Sequence, residues 1–140
     1  MEHLGLNFHH LGLAVRDRNA AEKFVKSLGY SVSETIFDPL QKVYLSMATC
    51  QGQPAIEIIS SDDDSGPLGP ILKDTNESIY HICYYTDSVA EFLQRVKQAG
   101  FRAFPVSEAK PAILFQEQPV SFFYITGFGL IEVLEKPHSN

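Results

Sequence analysis

Short apolar runs along the chain alternate with stretches whose apolar residues recur at helical spacing. The runs at residues 8–15 and 79–86 each predict a β-strand. Each run is followed by a stretch that is apolar on one helical face and ends at a glycine, which enters the left-handed conformation at low cost. Further strands are predicted at residues 43–47, 55–59, 112–115 and 121–125.

The two predicted helices carry their own start and stop signals. The first begins after Asp17 or Asn19, either of which can cap it, and ends at Gly29. In the second, Ser88 and Glu91 have the spacing of a capping box, and Gly100 ends the helix. The predicted buried faces are Ala20, Ala21, Phe24, Val25 and Leu28 in the first helix, and Val89, Phe92, Leu93 and Val96 in the second.

The chain repeats this pattern. Nineteen residues separate His10 from Gly29, and the same number separates His81 from Gly100. Each half then ends in an apolar strand with a central glutamate, at 55–59 and at 130–134. We therefore predict two β-α-β-β-β modules, at 8–60 and 79–136, within a single domain that spans 1–140. Residues 61–78 are acidic and rich in Pro and Gly, and they are interpreted as a mobile linker without the ligand spacing of a calcium loop.

Composition narrows the classes of partner. The 140 residues include 17 acidic and 11 basic side chains, for a formal net charge of −6, which argues against nucleic acid or an anionic membrane as the main partner. No apolar stretch approaches the roughly 20 residues of a membrane span. The first residues lack the pattern of a signal peptide, and Cys50 and Cys83 are expected to be reduced, so a cytoplasmic location is predicted.

Four polar residues stand out in the predicted strands. Strand alternation places His10 on a face with small neighbours, while Leu11, Leu13 and Val15 face the helix. A lone strand Glu is usually solvated, and a lone strand His is usually a hydrogen-bonded core residue. A buried carboxylate without a partner costs several kcal/mol. The four residues, however, occupy matching places in the two halves and together suit a divalent ion such as Zn, Ni, Co, Mn or Fe. They are His10, Glu57, His81 and Glu132.

The remaining histidines receive no such role. His9 is predicted to point away from His10, and His3 and His138 are predicted to be surface residues.

Three segments carry a family resemblance, at residues 9–15, 80–83 and 129–132. With its paired modules the chain resembles the vicinal oxygen chelate (VOC) superfamily, in its glyoxalase I and methylmalonyl-CoA epimerase branch. The resemblance implies an α+β fold in which an eight-stranded mixed sheet curls around a metal held by the four residues above. It also implies a metal-stabilised enediolate with Glu132 as general base. The expected activity is that of an isomerase or lyase acting on a small oxo-acid, an acyl thioester or a thiol adduct.

The chain departs from the epimerase pattern at the expected second base. Gln41 and Val43 fit that pattern, but Leu40 stands where it has a glutamate. An epimerase with Asp38 as substitute and a one-base isomerase or lyase both stay open. No Gly-rich turn precedes the last strands, and no basic cluster suits the phosphates of coenzyme A. Substrate contacts are predicted for Gln41, Cys83, Phe115 and Phe122. For the two phenylalanines, filling of the sheet core is the alternative.

Two other functions remain open. His10, His81 and Glu132 form the ligand triad of a non-haem iron extradiol dioxygenase if Glu57 does not close the site. A non-catalytic ligand-binding or resistance protein is the second alternative. The resemblance is also compatible with a homodimer. The predicted metal site then lies either within one chain or across two chains that exchange modules.

Overall fold

Strands and helices follow one another in the same order in both halves of the chain. The computed structural model describes residues 3–107 and 109–137. The first half contains β1 (Asn7–Val15), α1 (Arg18–Ser27), β2 (Ser31–Val32), β3 (Ile36–Asp38), β4 (Val43–Thr49) and β5 (Ile56–Ser60), followed by the short α2 (Leu68–Ile71). The second half contains β6 (Glu77–Thr86), α3 (Val89–Gln98), β7 (Ala103–Pro105), β8 (Lys110–Ala112), β9 (Gln118–Ile125) and β10 (Gly129–Glu135).

The described part of the chain has ten strands rather than the predicted eight. The segment after each helix forms two short strands, because β2 and β3 pair with successive parts of β4, and β7 and β8 pair with successive parts of β9. The predicted strand at 112–115 is also wrong. β8 ends at Ala112, and a 3₁₀ turn at Ile113–Phe115 leads to β9.

The chain divides into two compact units. One runs from His10 to Tyr80, and the other joins the residues before His10 to those from His81 onward. In the first unit β5 pairs in parallel with β1 and antiparallel with β4. In the second unit β10 pairs in parallel with β6 and antiparallel with β9. Each unit is therefore a mixed α+β structure with the same strand connectivity. The predicted module bounds at 8–60 and 79–136 remain a prediction.

Both helices begin and end as the sequence predicts. The Asp17 side chain accepts a hydrogen bond from the amide of Ala20, and Ser88 accepts one from Glu91. The glycines after the helices have φ values of +100° at Gly29 and +86° at Gly100. In each case the following residue donates back into the last turn, Tyr30 to Val25 and Phe101 to Val96, which is the Schellman arrangement. The capping box is half formed, because the Glu91 carboxylate bonds to Arg95.

Helix α1 packs differently from its predicted face. Val25 is buried with Val15 and Ile58, and Ala21 packs against this cluster. Phe24 and Leu28, however, are 64% and 48% exposed. In α3 the predicted face is confirmed: Phe92 and Val96 are buried, with Val89 and Leu93 packed beside them.

Arg18 explains the orientation of α1. Its guanidinium donates to the side chains of Ser60 and Ser46 and to the backbone carbonyls of Tyr44 and Ile58. It also pairs with Glu22 one turn along the helix. Burial lowers the pKa of Arg18 against the opposing effect of Glu22. Because these partners lie on β4 and β5, the helix is fixed with the Arg18 and Ala21 side inward, which turns Phe24 toward solvent.

The predicted linker is anchored to the first unit. Leu68 and Leu72 are buried around α2. Arg16 donates to Asp64 and to the carbonyl oxygen of Leu72, and its amide donates to Asn76. These contacts tie the segment to the end of β1, and its interpretation as a linker at 61–78 stays a prediction.

Candidate functional site

The register of the first unit places one His–Glu pair on a single sheet face. Glu57 lies opposite Gly12 on one side and Met47 on the other. His10 precedes Gly12 by two residues and therefore shares its face. The two side chains meet, with 3.7 Å between His10 Nε2 and Glu57 Oε1. Both are buried, with 0% and 5% of the residue exposed.

The second unit repeats this arrangement. Glu132 lies opposite Cys83 on β6 and Phe122 on β9. His81 precedes Cys83 by two residues, and its Nε2 lies 3.6 Å from Glu132 Oε2. His81 and Glu132 are buried as well. Each unit therefore holds one buried histidine–glutamate pair, and the assignment of the four residues to a metal stays a prediction.

The spacing within each pair suits coordination better than a direct hydrogen bond. Separations of 3.6 and 3.7 Å exceed the usual range of an N–H···O bond. Two ligand atoms that each lie about 2.1 Å from a shared ion are roughly 3.0–3.5 Å apart. Each pair thus offers one nitrogen and one oxygen at close to the spacing that a bound cation requires.

Burial also sets the protonation of the second pair. It lowers the pKa of His81 to about 4, so the imidazole is neutral at pH 7. Burial raises the pKa of Glu132 to about 7, while a hydrogen bond with the Cys83 side chain acts in the opposite direction. A neutral imidazole is the form that binds a divalent ion, whereas the Glu132 carboxyl group must lose its proton to do so.

Two of the predicted substrate residues adjoin this pair. The Phe122 ring meets the His81 ring edge to face, with centroids 5.4 Å apart. Cys83 is fully buried in a cluster with Ala112, Val120 and Leu134. Phe115 packs against that cluster from the 3₁₀ turn. Roles for Cys83, Phe115 and Phe122 in substrate binding remain predictions.

His9 lies in an environment that the sequence did not indicate. Its ring meets Phe115 and Tyr85 edge to face, with centroids 4.9 and 6.1 Å away. Lys136 Nζ lies 4.1 Å from the centroid of the Tyr85 ring. Burial lowers the pKa of His9. Alternation within β1 gave no signal for this contact, because Phe115 comes from a turn far along the chain. His3 is exposed as predicted, and His138 lies outside the described residues.

Gln41 lies in a turn rather than on a strand. β3 ends at Asp38, which is opposite Val43, whereas Glu57 is opposite Met47, about 13 Å further along β4. The structure therefore does not bring Gln41 next to Glu57. Leu40, in the same turn, is 58% exposed.

Asp38 has a clear local role at this turn. Its Oδ1 accepts hydrogen bonds from the amides of Leu40 and Gln41, at 2.9 and 3.3 Å. The residue is 2% exposed, and within the described residues no hydrogen bond reaches Oδ2. Register places Asp38 on the same face of the first unit as Glu57.

A family model matches most of the chain. Residues 9–122 match the Glyoxalase/Bleomycin resistance protein/Dioxygenase superfamily. The chain belongs to this superfamily. The match includes His10, Glu57 and His81, and Glu132 lies beyond its end. The comparison with curated proteins found no match.

Several solved structures share the fold of this chain. Methylmalonyl-CoA epimerase from Mycobacterium tuberculosis has a TM-score of 0.74 at 21% identity, with 96% of this chain and 89% of that chain covered. Hypothetical protein BH1468 from Bacillus halodurans C-125 has a TM-score of 0.78 at 23% identity, with 96% and 97% covered. A Streptomyces coelicolor methylmalonyl-CoA epimerase variant in complex with 2-nitronate-propionyl-CoA has a TM-score of 0.71 at 19% identity, with 94% and 97% covered. These likenesses confirm the predicted glyoxalase/bleomycin resistance fold.

The helices of this superfamily member are short. Among the residues that the structure describes, none of the helices has the length and apolar character needed to cross a bilayer.

Proposed function

We propose that the protein is a metal-dependent isomerase or lyase that removes a proton from a carbon beside a carbonyl group, through an enediolate. One observation carries the proposal. Each repeat buries a histidine and a glutamate at equivalent strand positions, with 3.7 Å between ligand atoms in one pair and 3.6 Å in the other. A fold has little reason to bury two such pairs unless a cation offsets the cost of burying the carboxylates.

The donor set fits a divalent ion. His10, Glu57, His81 and Glu132 would hold it, with two nitrogens and two oxygens, and Zn, Ni, Co, Mn and Fe all accept such ligands. When bound, the ion would supply a positive charge that stabilises a negative oxygen on the substrate.

Glu132 is the proposed base. A general base works best when its pKa is near the working pH, and burial raises the pKa of Glu132 to about 7. Phe122 is opposite Glu132 on β9 and its ring meets that of His81, and Cys83 hydrogen-bonds to the carboxylate. Glu132 is 5% exposed, so bulk water has little access to the carboxylate that would take a proton from a substrate carbon and return it.

Epimerase neighbours favour one substrate class for the first tests. The Streptomyces neighbour is bound to 2-nitronate-propionyl-CoA, an acyl thioester. We therefore place acyl thioesters ahead of small oxo-acids and thiol adducts, in a reaction like that of methylmalonyl-CoA epimerase or lactoylglutathione lyase. A cytoplasmic location and a homodimer remain predictions from the sequence.

The experiment that tests the proposal measures deuterium uptake. The protein is loaded in turn with Zn, Ni, Co, Mn and Fe and incubated in D₂O with members of the three substrate classes. Catalysed uptake beside a carbonyl supports the proposal. Oxygen consumption with catechols by the iron-loaded protein, without any deuterium uptake, would replace it with an extradiol dioxygenase.

Asp38 tests whether a second acid–base group takes part. We expect Asp38→Asn to leave proton exchange and inversion of the substrate carbon unchanged, because the amide oxygen still accepts from the turn amides. Asp38→Ala should lower the free energy of unfolding by about 1–3 kcal/mol, because a buried donor loses its acceptor. Chiral analysis and urea unfolding measure the two effects. Loss of inversion in Asp38→Asn, with exchange retained, would make Asp38 the second acid.

Metal affinity should depend on pH through Glu132. Burial raises the pKa of Glu132 to about 7, so below that pH the carboxyl group must lose a proton before it binds the ion. Zinc affinity should fall by about tenfold for each pH unit below 7 and level off above it. The pKa of His81, at about 4, keeps that imidazole out of this range. Competition with a chromophoric chelator from pH 5.5 to 8.5 measures the slope.

The matched control is Glu132→Gln, which carries no titrating proton. Its zinc affinity should be lower, and that affinity should depend much less on pH below 7 than the affinity of the wild type does. An unchanged slope in this variant would assign the pH dependence to another group.

A further inference from the structure

Three exposed apolar side chains of β7, β9 and the residue after β7 lie on the same sheet face as Glu132. Phe104 and Tyr124 are each 50% exposed, and Val106 is 59% exposed. We call these three residues the apolar strip. Large apolar side chains gathered on an exposed surface favour contact with a ligand or partner over contact with water.

Strand register determines which face carries the strip. Tyr124 is opposite Phe104 on β7 and Leu130 on β10. Phe122 is opposite Glu132, and its carbonyl accepts from the amide of Val106. Alternation then puts all of these side chains on one face.

The opposite face of the same strands is already filled. Ala103, Phe123 and Ile125 alternate with the strip residues along β7 and β9. They pack in the core with Phe92 and Val96 of α3. The strip residues therefore lie on the face of the strands opposite to this core.

The other unit has polar residues at the equivalent places. Ser31 is opposite Thr49, which corresponds to Phe104 opposite Tyr124. The amide of Ser33 donates to the carbonyl of Met47, which corresponds to the bond from the amide of Val106 to the carbonyl of Phe122. Met47 in turn is opposite Glu57, as Phe122 is opposite Glu132. The fold thus accepts Ser, Ser and Thr at these positions, so folding alone does not require Phe, Val and Tyr.

We propose that the apolar strip binds an extended acyl or aryl group of the substrate, next to the carbon that Glu132 deprotonates. This inference rests on the proposed function and narrows its substrate class to apolar acyl thioesters. Two strand spacings, about 10 Å, separate Glu132 from Val106, which suits a chain of several methylenes or one ring. The strip lies on the face of the proposed base and within two strand spacings of it, which favours a substrate group over a second copy of the chain.

Equilibrium binding tests the strip independently of catalysis. The probes are S-alkyl-N-acetylcysteamine thioethers from methyl to octyl, which have no acidic carbon beside a carbonyl, titrated into the metal-free protein by calorimetry. Affinity should rise about threefold to fourfold per methylene over part of the series. The variant that combines Phe104→Ser, Val106→Ser and Tyr124→Thr, the residues of the other unit, should lose most of that rise.

Phe24→Ser is the matched control, because Phe24 is 64% exposed on α1 and far from the strip in sequence. It should keep the wild-type dependence on chain length. Thermal unfolding confirms that the triple variant is folded. The proposal is overturned if thioether affinity rises equally with chain length in the wild type and in the triple variant. The proposal is also overturned if sedimentation shows that the wild type is a dimer and the triple variant a monomer, because the strip is then an interface between copies.

Acyl thioesters separate this proposal from the proposed function. With S-acyl-N-acetylcysteamines and the metal-loaded protein, deuterium uptake should become faster with chain length in the wild type and stay flat in the triple variant. One outcome supports the apolar site while the proposed chemistry fails. In that outcome no thioester exchanges its proton, but the affinity for the thioethers rises with chain length in the wild type and not in the triple variant.

Discussion

Glu132→Gln should lower the rate of substrate proton exchange by about 10²–10⁴-fold. The amide has nearly the shape of the carboxylate and still offers an oxygen to a cation, but it cannot accept a proton from carbon. The loss should therefore appear in kcat more than in KM. The measurement is deuterium uptake at saturating substrate, with the metal content of each sample determined.

The control is Glu77→Gln, an exposed glutamate on β6, which should leave the rate unchanged. Rate loss in Glu132→Gln counts toward the proposed role only at equal metal occupancy. If Glu132→Gln is fully loaded and turns over at the wild-type rate, Glu132 is not the base.

One ion per chain is the second expected result. If the two His–Glu pairs share a cation, titration with zinc should reach a stoichiometry of one. Substitution of either His10 or His81 by Asn should then weaken binding by more than about 100-fold, since removal of groups that merely support ligands already costs 10–100-fold. Zinc at about 1,000 times its Kd should raise the free energy of unfolding by about 4 kcal/mol.

Separate sites give a different result. Two ions per chain, with one tight site surviving in each single histidine variant, would show that each pair binds its own cation. His3→Asn is the matched control, because His3 is exposed and lies outside every strand and helix. Its zinc affinity should stay within about threefold of the wild type, which corresponds to less than 0.7 kcal/mol.

Local signals predicted the helix ends well. Asp17, Ser88, Gly29 and Gly100 act through backbone groups a few residues away, so their effect does not depend on the rest of the fold. The repeat likewise predicted a histidine and a glutamate on strands at matching places in the two halves, and the structure has all four on strands. The neighbours of a parallel strand pair are set by connectivity, and both halves share it.

Contacts between distant segments were beyond the sequence. Nothing near Phe24 shows that Arg18 will bind carbonyls of β4 and β5 and so turn Phe24 outward. The apolar run at 112–115 was compatible with a strand, yet the chain leaves β8 after Ala112 in a 3₁₀ turn. The surroundings of His9 depend on that turn, because it carries Phe115.

The sequence by itself determined the repeat, the two helices with their caps, and the matching places of four polar residues in strands, because each follows from side chains close together in the chain or from a pattern used twice. Only the tertiary structure decided which apolar residues are exposed. Phe24 and Phe92 were both predicted on buried helix faces, but Phe92 is buried and Phe24 is 64% exposed. Exposure depends on what packs against a strand or helix face, and those partners come from other parts of the chain.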